Sequence, residues 1–145
     1  MKTTPVIQLK EFGLTMRLIR KLLSARAETE GIDLTVNQYI LLKVMMHRKE
    51  AMIQQDIANF LDTDKSGILR QIDSLEKRKL IARTPDDNDR RKNVIIITKL
   101  GIELCNKFLA IEEAVMAELQ DGIAKTDMEG FKKVLARIQM NAREK

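Results

Sequence analysis

The chain has 145 residues, a length typical of one domain, and its 44% hydrophobic content is enough to build a core. A net charge of +5 suits a polyanionic partner, whereas 3% aromatic residues argue against stacking on single-stranded nucleic acid. A single cysteine excludes an internal disulfide, and together with one histidine it is too little for an ordinary zinc site.

The sequence lacks the patterns that send a protein to a membrane or across it. Residues 1–10 contain no uninterrupted apolar stretch of the kind found in signal peptides, and no apolar run reaches 18 residues. We therefore expect a cytoplasmic protein.

Two helices are predicted first. Apolar residues three or four positions apart predict a helix over residues 6–29 with one buried stripe, and Gly31 is positioned to end it. Thr35 is the expected N-cap of a second helix, which is apolar on nearly all sides and therefore expected at the centre of the fold. The predicted stripe of the first helix consists of Val6, Leu9, Phe12, Met16, Ile19 and Leu23.

A short helix and a longer one follow, separated by a turn. The short helix is predicted over residues 54–61, the turn at 62–64 and the longer helix over 65–78. The longer helix is amphipathic. Its apolar residues are Ile68, Ile72 and Leu75, and its polar face carries Lys65, Arg70, Asp73 and Lys77.

The pattern then changes to short strands. Residues 80–83 and the β-branched run 94–97 predict two strands around a polar loop, which together form a β-hairpin. Thr98 is the expected N-cap of a long helix that reaches about residue 120, and a last amphipathic helix is predicted over residues 127–142. The apolar side of the long helix is predicted to carry Leu100, Leu104, Phe108, Ile111 and Val115.

This order of elements indicates a winged helix-turn-helix protein, mostly α-helical with a small β-hairpin. The winged lobe would span about residues 35–100 of a single domain. The terminal helices, at about residues 5–30 and 101–142, are longer than such a lobe needs, and we expect them to pair two protomers.

The longer helix of the motif is the candidate reading element. Its N-terminal N–H groups favour phosphate, Arg70 could bind guanine O6 and N7, and Leu69 could touch a thymine methyl. An ordinary solvated helix face would carry similar charges, so this alternative stays open for the helix considered alone. The N-terminal side chains that could approach bases and phosphates are Asp64, Lys65 and Ser66.

The hairpin loop mixes the two signs of charge. Its basic residues are Arg90, Arg91 and Lys92, and its acidic residues are Asp86, Asp87 and Asp89. Because these charges nearly cancel, the loop is not a simple basic patch. It fits better an Asp that braces an Arg through a charge-assisted hydrogen bond, so that the Arg can enter a narrow minor groove. A solvated mixed-charge turn is the alternative.

Positive charge is unevenly distributed along the chain. Residues 63–92 hold nine Lys and Arg against six Asp and Glu, and residues 1–30 hold six against three, whereas residues 93–145 hold eight of each. The basic excess therefore lies on the candidate reading element and the N-terminal helix.

The stretch from residue 54 to residue 101 resembles the MarR family of bacterial winged helix-turn-helix transcriptional regulators. The helices match at Ile57-Ala58, Leu61, Ile68, Ile72 and Leu75-Glu76, and the first wing strand matches at Leu80-Ile81-x-Arg83. The most specific match is the wing signature Asp89-Arg90-Arg91 followed by Val94-x-Ile96-x-Thr98-x-x-Gly101. The order of the helices at both ends fits as well, so the resemblance covers nearly the whole chain.

The resemblance implies a homodimer, held by the first and last helices, that binds near-palindromic double-stranded DNA as a repressor. Residues 64–70 would enter the major groove, and Asp89 would hold Arg91 near the minor groove. Many relatives release DNA when a small phenolic or anionic molecule binds between the dimer helices and the reading lobe. The residues expected at the DNA are Gln54, Asp64, Lys65, Ser66, Leu69, Arg70, Asp73, Lys77, Asp89, Arg90, Arg91 and Lys92.

Two positions depart from the family pattern. Lys79 stands where the family usually has a glycine, just before the first wing strand, so it must accept backbone strain or close the preceding helix differently. Ile53 stands where a Thr or Ser often caps the first helix of the motif.

The resemblance argues against a redox sensor and against a metal sensor. Redox-sensing relatives carry a reactive Cys in the N-terminal helix, which this chain lacks, and Cys105 fits a small buried hydrophobe. His47, at the end of the second helix, is better explained by the helix dipole than as a metal ligand. The residues that would line a small-molecule pocket are Met16, Tyr39, Met45 and Met46. Methionines at helical spacing are more often core residues than pocket lining.

A helical protein-interaction module is the alternative function that the sequence leaves open. It would use the same basic face on an acidic protein partner, and replacing Arg91 with Ala would separate the two hypotheses. An enzyme is not supported, because the sequence has no Gly-rich phosphate loop and no nucleophile and base at a recognisable spacing. We expect no metal and no cofactor.

Overall fold

The computed structural model describes residues 4–48, 51–61 and 65–145. These residues form α1 (Leu9–Thr29), α2 (Val36–His47), β1 (Met52–Ile53), α3 (Gln54–Leu61), α4 (Lys65–Lys77), β2 (Ile81–Pro85), β3 (Asn93–Ile97), α5 (Lys99–Gln120) and α6 (Lys125–Arg143). The predicted class, mostly α-helical with a small β-sheet, is confirmed. The chain divides into two compact units, Met1–Glu113 and Ala114–Lys145. In the described ranges, no helix is long and apolar enough to cross a membrane.

A glycine turn and a capped helix start join the first two helices. Gly31 has a φ of +70°, which glycine adopts without strain, and the Ile32 N–H donates to the Ala27 carbonyl at 2.9 Å. The predicted N-cap at Thr35 is confirmed, because its hydroxyl accepts the Gln38 N–H at 3.1 Å. The end of α1 and the start of α2 therefore lie where the sequence indicates.

The predicted buried stripe of α1 is wrong over the N-terminal half of the helix. Val6 lies before the helix and is 95% exposed, and Leu9 and Met16 are also exposed. The fully buried positions are Leu23 and Ala27, in the C-terminal half. Burial is confined to the part of α1 that packs on the rest of its unit, so the earlier apolar residues remain on the surface of the protomer.

α2 is the central helix, as predicted. Leu41 and Leu42 are completely buried, and Tyr39 stacks on Phe108 of α5 with ring centroids 4.3 Å apart. The helix-turn-helix and the sheet contribute the other large buried side chains of this core, namely Ile57, Ile68, Ile72, Leu75, Ile81 and Ile95.

The predicted hairpin is present and is extended by a third strand. β2 and β3 pair in antiparallel register with Arg83 opposite Ile95, and β1 pairs with the other side of β3 through Met52 opposite the same Ile95. The sequence did not reveal β1, because two residues are too few to show the alternation of a strand.

Leu80 closes α4 rather than opening β2, contrary to the prediction. Its N–H donates to the Leu75 carbonyl at 2.9 Å, and its carbonyl accepts the Thr98 N–H at 3.0 Å. Lys79, just before it, has a φ of +60°. The lysine therefore adopts the left-handed conformation that favours glycine, at a cost in backbone strain.

Thr98 ties the end of the wing to the end of α4. Its hydroxyl donates to the Lys79 carbonyl at 2.7 Å and accepts the Gly101 N–H at 3.1 Å, so the predicted N-cap of α5 is confirmed. Gly101 leaves no room for a larger residue, because a Cβ there would collide with the Leu80 carbonyl and lie 2.8 Å from Cγ1 of Ile97. α4, the wing and α5 thus share one tightly packed joint.

The buried face of α5 differs from the prediction at its start. Leu100 is 51% exposed and Leu104 is half-buried, whereas Gly101 and Cys105 are buried. The close approach of Gly101 to the Leu80 carbonyl turns this side of the helix inward. Further along α5, the predicted residues Phe108, Ile111 and Val115 are buried.

α6 belongs to the second unit and contains no buried residue in the described protomer. Three of its exposed apolar side chains, between 42% and 50% exposed, lie three or four positions apart, as on one face of a helix. They are Phe131, Val134 and Ile138; Met140 is exposed too.

Candidate nucleic-acid interface

α4 presents a polar face opposite its buried residues. Burial of Ile68 and Ile72 leaves the side chains between them on the outside, so Leu69 is 41% exposed and Arg70 is exposed. Lys77, two turns further on, is exposed as well. Among the residues that the structure describes, neither Arg70 nor Lys77 forms an ion pair, and both cations are therefore available to an external anion.

The N-terminal end of α4 is described in part. Ser66 is exposed, while the side chain of Lys65 lies outside the description, although its backbone begins the helix. The predicted contact residue Asp64 also lies outside the described residues.

Arg83 of β2 joins the wing to α4. Its guanidinium contacts Asp73 Oδ1 at 2.5 Å and Glu76 Oε1 at 3.0 Å, and its own side chain is 21% exposed. Because Asp73 and Glu76 lie one turn apart on α4, a single guanidinium reaches both carboxylates. The carboxylate of Asp73 is therefore already bound within the protein.

The acidic residues of the wing loop shape the loop itself. Asp86 Oδ1 accepts the Asn88 N–H at 3.1 Å, which is a typical Asx turn, and the Asp86 N–H donates to the Lys92 carbonyl at 2.9 Å. The Lys92 N–H in turn donates to the Asp89 carbonyl at 2.9 Å. These bonds hold the chain reversal between β2 and β3.

Asp89 braces Arg91 in the way that the sequence predicts. Asp89 Oδ1 accepts both the backbone N–H and Nε–H of Arg91 at 3.1 Å, and Oδ2 accepts from Nη2 at 3.3 Å. These hydrogen bonds hold the pKa of Asp89 below its usual value. The Arg91 side chain is nevertheless 91% exposed, and Arg90 and Lys92 beside it are exposed too. The loop thus directs its cations outward.

Residues 32–92, from the loop before α2 through the wing tip, match a family model described as the MarR family. A relative from Thauera aromatica, described by its name as a transcriptional regulatory protein for the hcr operon, is 32% identical over 97 residues. Over these residues the chain resembles the MarR family. The alignment covers 67% of this chain and 55% of that relative, so the chain spans little more than half the length of the curated relative.

Solved structures agree with a MarR-family fold over most of the chain. MepR of S. aureus, in a complex with DNA, is 23% identical, with a TM-score of 0.83 and coverage of 94% of this chain and 99% of that one. CouR of Rhodococcus jostii, bound to p-coumaroyl-CoA, is 26% identical, with a TM-score of 0.73 and coverage of 87% of each chain. The predicted winged-helix fold is confirmed.

The start of α3 explains the departure from the family pattern at Ile53. The Ile53 N–H donates to Asp56 Oδ2 at 3.3 Å, so an acid inside the first turn binds an N–H at the helix start, where a Thr or Ser cap is missing. Gln54, predicted to contact DNA, is the first residue of α3 and is half-buried.

The four residues predicted to line an effector pocket lie in different surroundings. Met16 is exposed on α1, and Tyr39 is buried against Phe108. Met45 lines a cleft beside the sheet, and Met46 is half-buried. Within the described protomer they do not converge on that cleft.

The structure contains a polar cluster beside Tyr39 that the sequence does not reveal. The Tyr39 hydroxyl donates to Glu112, and Lys43 Nζ lies 2.7 Å from Glu112 Oε2. Burial opposes ionisation of Glu112, but the hydrogen bonds from Lys43 and Tyr39 outweigh it and keep the pKa of Glu112 below its usual value. Burial and the bond to Glu112 raise the pKa of Tyr39. The cluster links α2 to α5.

Cys105 is a buried free thiol, as the sequence indicates, and burial raises its pKa to about 11. His47 is exposed in the last turn of α2. Across the described ranges, no three His, Cys, Asp or Glu side chains are grouped so that they could hold a metal ion.

Proposed function

We propose that this protein is a member of the MarR family, namely a homodimeric, sequence-specific regulator of transcription that binds double-stranded DNA, and that it is a repressor released by a small-molecule ligand. The observation that carries the proposal is the pairing of an exposed basic face on α4 with a wing tip whose Arg91 is held outward by Asp89. Arg83 links β2, the first strand of the wing, to α4 through Asp73 and Glu76.

The chemistry of α4 suits the major groove. Arg70 can donate two parallel hydrogen bonds to O6 and N7 of guanine, and the exposed Leu69 can cover a thymine methyl. Lys77, further along the same helix, suits a phosphate. Ser66 and Lys65 belong to the end of the helix whose backbone N–H groups favour phosphate.

The chemistry of the wing suits the minor groove. A narrow minor groove concentrates negative potential, and an exposed guanidinium is the group that most often occupies it. Arg91 meets this requirement because the bonds to Asp89 restrict its rotamers before DNA arrives. Arg90 and Lys92 on either side suit the flanking phosphates.

Exposed apolar faces on the terminal helices support the homodimer. α1 carries exposed Leu14 and Leu18, and α6 carries exposed Val134 and Ile138. Stripes of this kind are typical of helices that pack on a second copy. In a twofold dimer the two copies of α4 would meet successive major grooves, about 34 Å apart.

Two solved structures of similar proteins support the proposal that a ligand regulates DNA binding. MepR has been solved with DNA, and CouR with p-coumaroyl-CoA. For this chain we infer a two-state dimer in which only one state spaces the two copies of α4 for DNA. A ligand that binds the other state more tightly would then release DNA, to an extent set by the ratio of its two affinities.

Selection from randomised duplex DNA, with sequencing of the retained molecules, tests the proposal directly. We expect an inverted repeat with half-sites about one helical turn apart. On the selected site, affinity should fall with salt at a log–log slope of about −0.9 per phosphate neutralised. Retention without enrichment, or a flat salt response, would contradict sequence-specific DNA binding.

Single variants then assign the contacts. Arg70→Ala should cost roughly 1–3 kcal/mol on the preferred site and relax the choice of base there. Arg91→Ala should weaken DNA binding, whereas Lys107→Ala, an exposed lysine of α5, is the matched control. A normal affinity of Arg91→Ala for DNA would instead favour a protein-interaction module.

A further inference from the structure

α2 and α5 contact each other through two pairs of side chains, one pair on each helix. Within each pair the residues lie four positions apart, so both side chains project from one face of their helix. We call this set the clasp, and it consists of Tyr39 and Lys43 of α2 and Phe108 and Glu112 of α5. The Tyr39 ring stacks on Phe108 with centroids 4.3 Å apart, and its hydroxyl donates to Glu112. Lys43 Nζ lies 2.7 Å from Glu112 Oε2, so one carboxylate binds both polar groups that α2 contributes to the clasp.

The clasp is the second of two places at which α5 is attached to the winged lobe. The first is the joint at the start of the helix, where the Thr98 hydroxyl lies 3.0 Å from the Leu80 carbonyl and Gly101 packs on the same carbonyl. From Gly101 to Glu112 the helix rises by about 16 Å, at 1.5 Å per residue. A helix that is held only at its start can swing about that point, whereas a second contact further along fixes its direction.

α2 is also bound to α4, directly beside the clasp. Gln38 Nε2 donates to Ser74 Oγ of α4 at 3.3 Å, and Gln38 is the residue before Tyr39. One turn of α2 therefore contacts α4 through Gln38 and α5 through Tyr39. While the clasp is closed, these three helices are fixed to one another.

The clasp differs from the joint because water can reach it. The side chains of Lys43 and Glu112 are 32% and 30% exposed, whereas Leu80 and Gly101 are buried. A partly exposed ion pair contributes little net stability, since both charges can rehydrate when it breaks. The joint is therefore a fixed pivot, and the clasp is a contact that can open without unfolding the lobe.

We propose that Glu112 is a positioning residue: by holding Tyr39 and Lys43 it fixes the direction of α5 relative to α2, and it thereby selects the half-site spacing that the dimer accepts. This inference rests on the proposed function, in which α5 belongs to the helices that pair two copies and α4 reads DNA. With the clasp closed, the angle between α5 and α4 has one value, so the two copies of α4 have one separation. With the clasp open, the separation varies, and DNA sites of other spacings are accepted as well.

Tyrosine fluorescence tests the clasp without DNA. The chain has one Tyr and no Trp, so its tyrosine emission comes from Tyr39 alone. A phenol that donates to a carboxylate fluoresces weakly, because the excited phenol transfers its proton to that oxygen. We expect Glu112→Gln to raise the emission, since an amide oxygen is a weaker proton acceptor. Glu113→Gln is the matched control, because it removes the neighbouring, exposed carboxylate of α5, and it should leave the emission unchanged.

Spacing variants of the selected DNA site test the positioning role. The probes are the inverted repeat obtained from the randomised library and the same repeat with one base pair inserted at its centre, which turns one half-site by about 35° relative to the other. Wild-type protein should prefer the original repeat. For Glu112→Gln the ratio of the two affinities should be about tenfold smaller, because the second attachment of α5 is lost. Glu113→Gln should keep the wild-type ratio.

A second variant guards against a failure of Glu112→Gln to fold. Tyr39→Phe removes only the hydroxyl and keeps the ring that stacks on Phe108, so it should lower the affinity ratio in the same direction as Glu112→Gln. Circular dichroism verifies the fold of each variant before the DNA titrations. If Glu112→Gln does not fold, the ratio measured for Tyr39→Phe decides the outcome.

Several results would overturn the proposal. Equal emission of Glu112→Gln and Glu113→Gln would show that the clasp does not form. An unchanged affinity ratio in the folded variants, or an equal loss of affinity for both repeats, would mean that the clasp stabilises the fold without positioning α4. If no DNA site is selected, the proposed function fails and the positioning role fails with it, while the emission of Tyr39 still reports whether the clasp forms.

Discussion

Arg83→Ala removes the link between the wing and α4, and the structure sets the size of the effect. The guanidinium is 21% exposed, while the side chains of Asp73 and Glu76 are 54% and 38% exposed. Since both carboxylates can rehydrate, the loss resembles that of two partly exposed ion pairs rather than that of a buried pair. We expect the free energy of unfolding to fall by about 1–2 kcal/mol.

The affinity of Arg83→Ala for DNA should also fall, for a reason separate from the loss of stability. Without Arg83, the carboxylate of Asp73 is an uncompensated negative charge on the face of α4 that we assign to DNA. At an effective dielectric constant near 20, the repulsion between this carboxylate and a DNA phosphate costs on the order of 1 kcal/mol, which lowers the affinity for DNA about fivefold. Arg83→Ala/Asp73→Ala should recover this part, because the repelling charge is then gone.

Urea unfolding followed by circular dichroism, together with a DNA titration at constant salt, measures both effects in a double-mutant cycle of Arg83 and Asp73. Lys77→Ala serves as the stability control, since Lys77 is exposed on the same helix and forms no ion pair within the described ranges. A coupling energy of zero, or an Arg83→Ala variant as stable as the control, would refute the assignment of Arg83 as the link.

Three further predictions concern the joint and the wing. Gly101→Ala should lower the free energy of unfolding by about 2–3 kcal/mol, because the new methyl collides with the Leu80 carbonyl. Gly130→Ala, with open space around it, should be neutral or stabilising, and equal effects at the two glycines would contradict this reasoning. Lys79→Gly should raise the free energy of unfolding by up to about 1 kcal/mol, and with it the urea midpoint, since it relieves a positive φ; an unchanged midpoint would mean that the lysine is not strained. The pKa of Asp89 is lowered in the folded chain, so the hydrogen bonds that Asp89 accepts from Arg91 should persist at every pH above 3.8, the usual pKa of this carboxyl group. They should be lost only as the pH falls through the lower pKa of the folded state. An NMR titration of the Arg91 guanidinium with a midpoint near pH 6 would contradict this prediction.

The helices were predictable because their signal is repeated along the sequence. α3 runs over residues 54–61 as predicted, and α4 is one residue shorter than expected. The errors fall where a single contact decides the structure. Leu80 was predicted as a strand residue because it is apolar and directly precedes Ile81. Its hydrogen bonds with Leu75 and Thr98 instead place it in the joint between α4, the wing and α5. β1 depends on pairing with β3, and two residues carry no periodic signal.

The exposed face of α1 has a different cause. Hydrophobic periodicity predicts that a stripe is covered, but it does not say by which chain. Leu9 and Met16 lie on the predicted stripe and are exposed in the protomer. A stripe that a second copy would cover therefore looks the same in the sequence as a stripe buried in the core.

The candidate interface was predictable where its partners are close in sequence. Asp89 and Arg91 are two residues apart, so a carboxylate brace could be inferred from the loop alone. The bond from Arg83 to Asp73 spans ten residues and two elements, and nothing in the sequence distinguishes Asp73 from the other charged residues of α4. The ion pair between Lys43 and Glu112 spans 69 residues and needs the tertiary fold.

The charge of the wing loop illustrates how structure changes the meaning of composition. Three acids and three bases suggest a loop with little attraction for DNA. In the structure, Asp86 and Asp89 accept hydrogen bonds within the loop, while Arg90, Arg91 and Lys92 point their charges to solvent. Asp86 and Asp89 therefore act as positioning groups. A net charge near zero is thus compatible with exposed cations at the tip, and under the proposed function it would limit non-specific attraction to DNA at long range without removing the contact at short range.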